Sequence, residues 1–154
     1  RPQKLLFSKE QIMPILKRKN PLEWKVINRA GSGSFAVTYS VDVIQMEIPA
    51  SYILKVIELT GLVESRMPED LDAETYEKIR EKWEKQYLER ERNEVAFMRA
   101  FQDVPQIVNL VESWEDNMAD KNGVEHRLFC ILMDRWDGDL TDFMGKEGST
   151  VTYH

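Results

Sequence analysis

Cysteine is nearly absent from this sequence: its 154 residues include one, Cys130. An internal disulfide is excluded, and with it a disulfide-stapled secreted scaffold, so a cytosolic or nuclear location is expected. The thiol's setting, Leu128-Phe129-Cys130-Ile131-Leu132-Met133, reads as that of a buried small hydrophobe. Histidine is almost as scarce. His126 and His154 have no second ligand at metal spacing, so no structural metal site is expected. Basic charge is short as well: 21 Lys and Arg against 27 Asp and Glu leave a net charge of −6. That is the wrong sign for gripping a phosphate backbone, and no nucleic-acid partner is expected. No apolar run approaches the roughly 20 residues of a membrane helix, so no membrane partner is expected either. The opening residues, Arg1 to Phe7, lack the apolar stretch and small-residue cleavage site of a secretory signal.

What is present is ordinary globular chemistry, 42% hydrophobic and 31% charged, in a length that supports one domain with a real core. Ser8 followed three residues later by Gln11 reads as a capping box. Ile12, Ile15 and Leu16 then offer a short apolar face, and Pro14 is expected to start or kink a helix there. Trp24 to Ala30 is strand-like, Gly31-Ser32-Gly33-Ser34 is turn chemistry, and Phe35 to Val43 alternates Val37, Tyr39, Val41 and Val43. Met46 to Ser51 reads as a connection, and Tyr52 to Ile57 as a third antiparallel strand. Residues 70–101 predict a long helix with Tyr76, Ile79, Trp83 and Tyr87 on one stripe and Glu89-Arg90-Glu91-Arg92 on a solvated face. Strands are expected at Ile107–Trp114 and Leu128–Met133, with Asn122-Gly123 as a hairpin turn between them. Asp139 to Met144 reads as the start of another short helix. Strands grouped around one helix predict an α+β fold, a five-stranded antiparallel sheet with one long helix packed on it.

Three features carry chemistry. Gly31-Ser32-Gly33-Ser34-Phe35-Ala36-Val37-Thr38 is a glycine-rich turn that brings backbone N–H groups close to a phosphate, or is simply a hairpin. A dinucleotide fingerprint is disfavoured, because these glycines lead into a strand and not a helix. Lys55 has apolar neighbours on both sides, so it either snorkels from an edge strand to water or is buried and paired. Glu94 has Phe97, Met98 and Phe101 at i+3, i+4 and i+7, so it either points along an apolar helix face or ends the acidic surface run. Pairing Lys55 with Glu94 accounts for both charges.

Glycine loop, strand lysine, helix glutamate and a final apolar strand, in that order, resemble the ATP-binding lobe of a eukaryotic-type protein kinase. The resemblance spans roughly Trp24 to Met144. It implies that Gly31, Ser32, Gly33, Ser34, Phe35 and Ala36 form the phosphate loop, with Phe35 at its tip. It implies that Lys55 holds the α- and β-phosphates of ATP and that Glu94 fixes this lysine. Pro105 to Leu110 is similar to the family's link into the fourth strand. By the same resemblance Met133 is the gatekeeper, Asp134 and Trp136 are hinge positions facing adenine, and Asp137-Gly138-Asp139-Leu140 is the turn into the next helix. Thr38 stands where the family usually has valine, and Ile53 where it usually has alanine, both against the adenine.

No H-R-D or D-F-G motif occurs in these residues, so the family's catalytic base and its Mg2+ ligands are expected in a lobe that lies outside them. The implied organisation is an extension over 1–22, the ATP-binding lobe over 23–136, and the hinge exit over 137–154. The implied activity is transfer of the γ-phosphoryl group of ATP to Ser or Thr hydroxyls of a protein substrate, with these residues alone inactive. A lobe without its partner lobe is expected to expose the strand ending at Met133, together with Trp136, and to recruit a second chain or self-associate there. The alternatives are a pseudokinase or scaffold module that binds proteins without catalysis, and a small structural protein with a kinase-like sheet.

Overall fold

The computed structural model of the chain describes residues 2, 5, 7–33, 35–44, 50–104 and 109–135. The first element, α1 (Lys9–Lys19), begins at Ser8, whose backbone N–H donates to Gln11 Oε1 at 2.9 Å, the return half of the expected capping box. Glu10 in its first turn and Lys17, Arg18 and Lys19 in its last complement the helix dipole. Pro14 lies inside α1 instead of starting it. The N–H that proline lacks would have bonded the carbonyl of Glu10, and both residues lie on the exposed side, where water can satisfy that carbonyl.

The strands are β1 (Trp24–Ser32), β2 (Ala36–Val43), β3 (Ala50–Glu58), β4 (Leu110–Ala119) and β5 (Glu125–Asp134). They form one sheet in the order β1-β2-β3-β5-β4, every pairing antiparallel. Between β3 and β4 run α2 (Leu59–Arg66) and α3 (Ala73–Ala100). Asp72 caps α3 by accepting the Thr75 N–H at 2.7 Å. The fold is therefore α+β, with a five-stranded antiparallel sheet and a long helix. β4 continues past the expected Trp114 to Ala119, because the β4–β5 hairpin closes only at Asp120–Val124. Asn122 and Gly123 occupy that turn, and Gly123 takes φ 79°, a conformation that glycine adopts without strain. The expected strand residues Ile107 and Val108, the link from Pro105, and the helix from Asp139 to Met144 lie outside the described residues.

Side chains alternate across a strand, so each strand feeds two layers. Leu54 and Val56 of β3 with Leu128, Cys130 and Leu132 of β5 face Ile12, Ile15 and Leu16 of α1. Val37, Tyr39, Val41 and Val43 of β2 join that layer, as do Leu5 and Phe7. The chain before α1 is tied down where the Tyr39 hydroxyl and Arg29 Nη2 both donate to the Phe7 carbonyl, the latter at 2.9 Å. On the opposite face Ile53 and Ile57 of β3 and Phe129, Ile131 and Met133 of β5 pack against Leu88, Val95 and Met98 of α3. Cys130 is fully buried, and burial raises its thiol well above the ordinary range.

α2 was not foreshadowed by the pattern. It starts directly after strand residue Glu58 without a Ser, Thr, Asp or Asn cap, contains Gly61, and buries only Leu59, Thr60 and Val63. Its presence explains the aromatic stripe on α3. Tyr76, Ile79, Trp83 and Tyr87 are half-buried rather than core, and Tyr76 donates to Glu64 at 2.6 Å while Tyr87 accepts from Arg66 at 2.7 Å. Among the described residues, no helix is long and apolar enough to cross a membrane.

Candidate functional site

The α3 side of the sheet brings several of the singled-out residues into one neighbourhood. Thr38 on β2 lies opposite Lys55 on β3, Lys55 lies opposite Ile131 on β5, and Ile53 lies opposite Met133. Thr38, Ile53 and Met133 are buried, while Lys55 is half-buried. Met133 does not open onto an uncovered underside as expected. It is 1% exposed, held between its cross-strand partners Ile53 and Leu110.

The glycine turn sits at one end of this face and is tighter than the sequence implies. Gly31 and Ser32 remain in β1, opposite Thr38 and Val37. Gly33 N–H donates to the Ala36 carbonyl at 2.8 Å, and the Phe35 carbonyl accepts from Glu58 N–H at 2.8 Å. The Phe35 ring is half-buried against the start of α2. A Cβ on Gly61 would lie 2.9 Å from both Phe35 Cδ1 and Glu58 Cδ, so the absence of a side chain at Gly61 lets the loop tip dock. Ser34 and Trp136 lie outside the described residues. Asp134 ends β5, exposed, with its N–H donating to the Asn109 carbonyl at 3.0 Å.

Two carboxyl groups of α3, Glu91 and Glu94, act on Lys55. Burial lowers the Lys55 pKa from its ordinary value, and the two acids partly offset that shift. Glu91 is pushed up to about 7, first by burial and then by the Glu94 carboxylate, against the pull of Lys55. The arrangement offers one ammonium, two carboxyl groups and an apolar wall beneath a glycine hairpin. No protein-family model matches this sequence, and no curated protein matches it either.

Glu91 is the residue that the sequence pattern hid, inside a run read as solvated. Its neighbours obey that reading: Glu89, Arg90 and Arg92 are exposed, and Arg92 pairs with Glu115 at 2.5 Å. Its spacing of three from Glu94 was the available signal, since i and i+3 share a helix face. Of the three apolar residues at i+3, i+4 and i+7 from Glu94, Met98 alone is core; Phe97 and Phe101 are 39% and 43% exposed, with ring centroids 4.6 Å apart. Beside Glu94 an open groove of about 740 Å³ runs along α3, lined by Lys85, Glu89, Arg90, Asn93 and Phe97 among others.

A second polar group, also unforeseen, lies at the same end of the sheet as the glycine turn. His126 is buried, with Nδ1 against the Glu58 carboxylate and Nε2 2.8 Å from Asp120 Oδ2. Beside it the Thr60 hydroxyl donates to Glu84 at 2.9 Å and accepts from Arg127 N–H at 2.8 Å, while Arg80 donates to the other Glu84 oxygen at 3.0 Å. These bonds let α3 bury the Glu84 carboxylate and fix α2 between α3 and β5. Among the described residues, no group of three or more His, Cys, Asp or Glu side chains is arranged to hold a metal ion.

Proposed function

We propose that the chain is the ATP-binding lobe of a protein kinase, the parent of which transfers the ATP γ-phosphoryl group to protein hydroxyls. The observation that carries this reading is the position of Lys55. It stands on β3, on the sheet face shared with Met133, with Glu91 and Glu94 of α3 acting on it. The strand order β1-β2-β3-β5-β4 and the β1–β2 glycine hairpin agree with the same reading. A half-buried ammonium suits an anionic phosphate chain. Thr38, Ile53 and Met133 supply an apolar wall suited to the base. ATP and Mg2+ supply the phosphoryl group and its charge neutralisation, and the metal ligands and general base belong to a second lobe. Protein substrate, a covering partner and a cytosolic or nuclear location are parts of the same proposal.

A second reading, a pseudokinase or scaffold, draws on Ile53. This β-branched side chain is buried directly opposite Met133, where the resemblance calls for alanine, and it narrows the space for adenine. The two readings separate by titration with MgATP, followed by calorimetry, and by a radiolabelled transfer assay on a protein that carries both lobes. The kinase reading expects binding, transfer, and a loss of about 10²–10³-fold in transfer on Lys55→Met, the scale of removing one preorganised charge-stabilising group. Binding without transfer favours the pseudokinase. Unchanged binding and transfer in Lys55→Met sinks the role given to the lysine.

A further inference from the structure

Lys55 faces two acids on α3, although one would neutralise it. Glu91 and Glu94 are three residues apart, on one helix face. One Glu91 carboxyl oxygen is fully buried and has no hydrogen-bond partner among the described residues. A buried oxygen in that position is unfavourable when the carboxyl is ionised and much less so when it carries a proton. The charged groups acting on Glu91 are Glu94 and Arg90 from its own helix and Lys55 from β3. Burial and the Glu94 carboxylate raise its pKa to about 7 and outweigh both cations, and a hydrogen bond to Glu94 acts in the same direction.

We propose that Glu91 is a positioning residue for the Lys55–Glu94 pair and that it acts through its proton. Protonated, its O–H donates to the Glu94 carboxylate and leaves one negative charge against one ammonium. Ionised, it places two carboxylates against Lys55, repels Glu94 and leaves the site with a net charge of −1. An anionic ligand meets a neutral site in the first state and a repulsive one in the second. Affinity for a nucleotide phosphate therefore falls as pH rises through about 7. The nucleotide part of this inference rests on the kinase reading above; the proton control of Lys55 and Glu94 does not.

Two measurements keep those parts distinguishable. Carbon-13 carboxyl and nitrogen-15 ammonium NMR, from pH 5 to 9, reads the site without any ligand. In the wild type, the Glu94 and Lys55 signals should inflect together with Glu91 near pH 7, and in Glu91→Gln that inflection should vanish. A Glu91 transition below about pH 5, the ordinary glutamate range, overturns the proposal, as does a Glu94 inflection that survives in Glu91→Gln. The wild-type titration alone decides the first point if the variant does not fold. Calorimetry with ADP in excess Mg2+ then compares affinities at pH 6 and pH 8. The ratio should be about fivefold larger in the wild type than in Glu91→Gln, the effect of one unit charge at roughly 4 Å in water. Equal ratios overturn the link to ligand affinity. The NMR inflection without ADP binding at any pH sinks the nucleotide reading and leaves the proton control standing.

Discussion

The two faces of one sheet differ in kind. Leu54, Val56, Leu128, Cys130 and Leu132 point toward α1 and form a closed apolar layer. The residues between them point toward α3 and include Lys55 among Ile53, Ile131 and Met133. The same two strands, offset by one residue, build a layer devoted to stability and a layer that carries charge. A site on the α3 face is held by the α1 face behind it without sharing a single side chain with it. That separation lets the charged face keep an awkward pair of acids, because the apolar face supplies stability from separate side chains.

Substitutions on opposite faces should separate the two roles. Leu54→Ala, in the α1 layer where Leu54 is fully buried, should lower stability by about 2–5 kcal/mol in urea unfolding. The Glu91 carboxyl transition in carbon-13 NMR should stay where it is in the wild type, and a matching shift of that transition would break the division. Gly61→Ala forces a methyl group against Phe35 and Glu58. It should cost about 1–3 kcal/mol by overpacking and detach the loop tip, seen as a changed Phe35 ring signal in NMR. An unmoved Phe35 would show that Glu58 yields instead.

The third effect is one of pH. Glu91 has an ordinary value of 4.5 and a folded value of about 7. Between those limits the folded chain binds more protons than the unfolded chain, so stability falls as pH rises through that window and stays lower above it. Glu91→Gln should flatten this slope in urea unfolding at pH 5, 6, 7 and 8. Leu54→Ala should shift the whole curve without changing its slope in that window. A slope that survives in Glu91→Gln assigns it to another group.

The sheet was legible because alternation of apolar with polar residues is a strong strand signal: Val37, Tyr39, Val41 and Val43 alternate with Thr38, Ser40 and Asp42. The hairpin at Asn122-Gly123 was legible from turn chemistry alone. Lys55 and Glu94 stood out as charges in apolar company, and the structure places Glu91 with them. What escaped had no local signature. α2 lacks a cap residue and a full apolar stripe, and its stability comes from Thr60, Glu84 and Arg127 meeting across three elements. Glu91 resembles its exposed neighbours in every respect but its angle around the helix. His126 reads as an isolated histidine until folding sets it between Glu58 and Asp120, which are 68 and 6 residues away along the chain. Phe97 and Phe101 read as core because apolar residues near a buried glutamate imply an apolar face; α3 narrows that face to Val95 and Met98.

The strict alternation of β3 makes this strand a frame that tolerates changes of identity far better than changes of length. Deleting one residue between Tyr52 and Lys55 while the β2 pairing holds would turn the lysine into the layer beneath α1 and bring apolar carbon to the place it left. Adding or removing two residues keeps every side chain on its own side and merely slides the strand by one repeat. Genetic drift in this segment should therefore move in even steps, and a library of insertions should show cooperative folding returning at every second length.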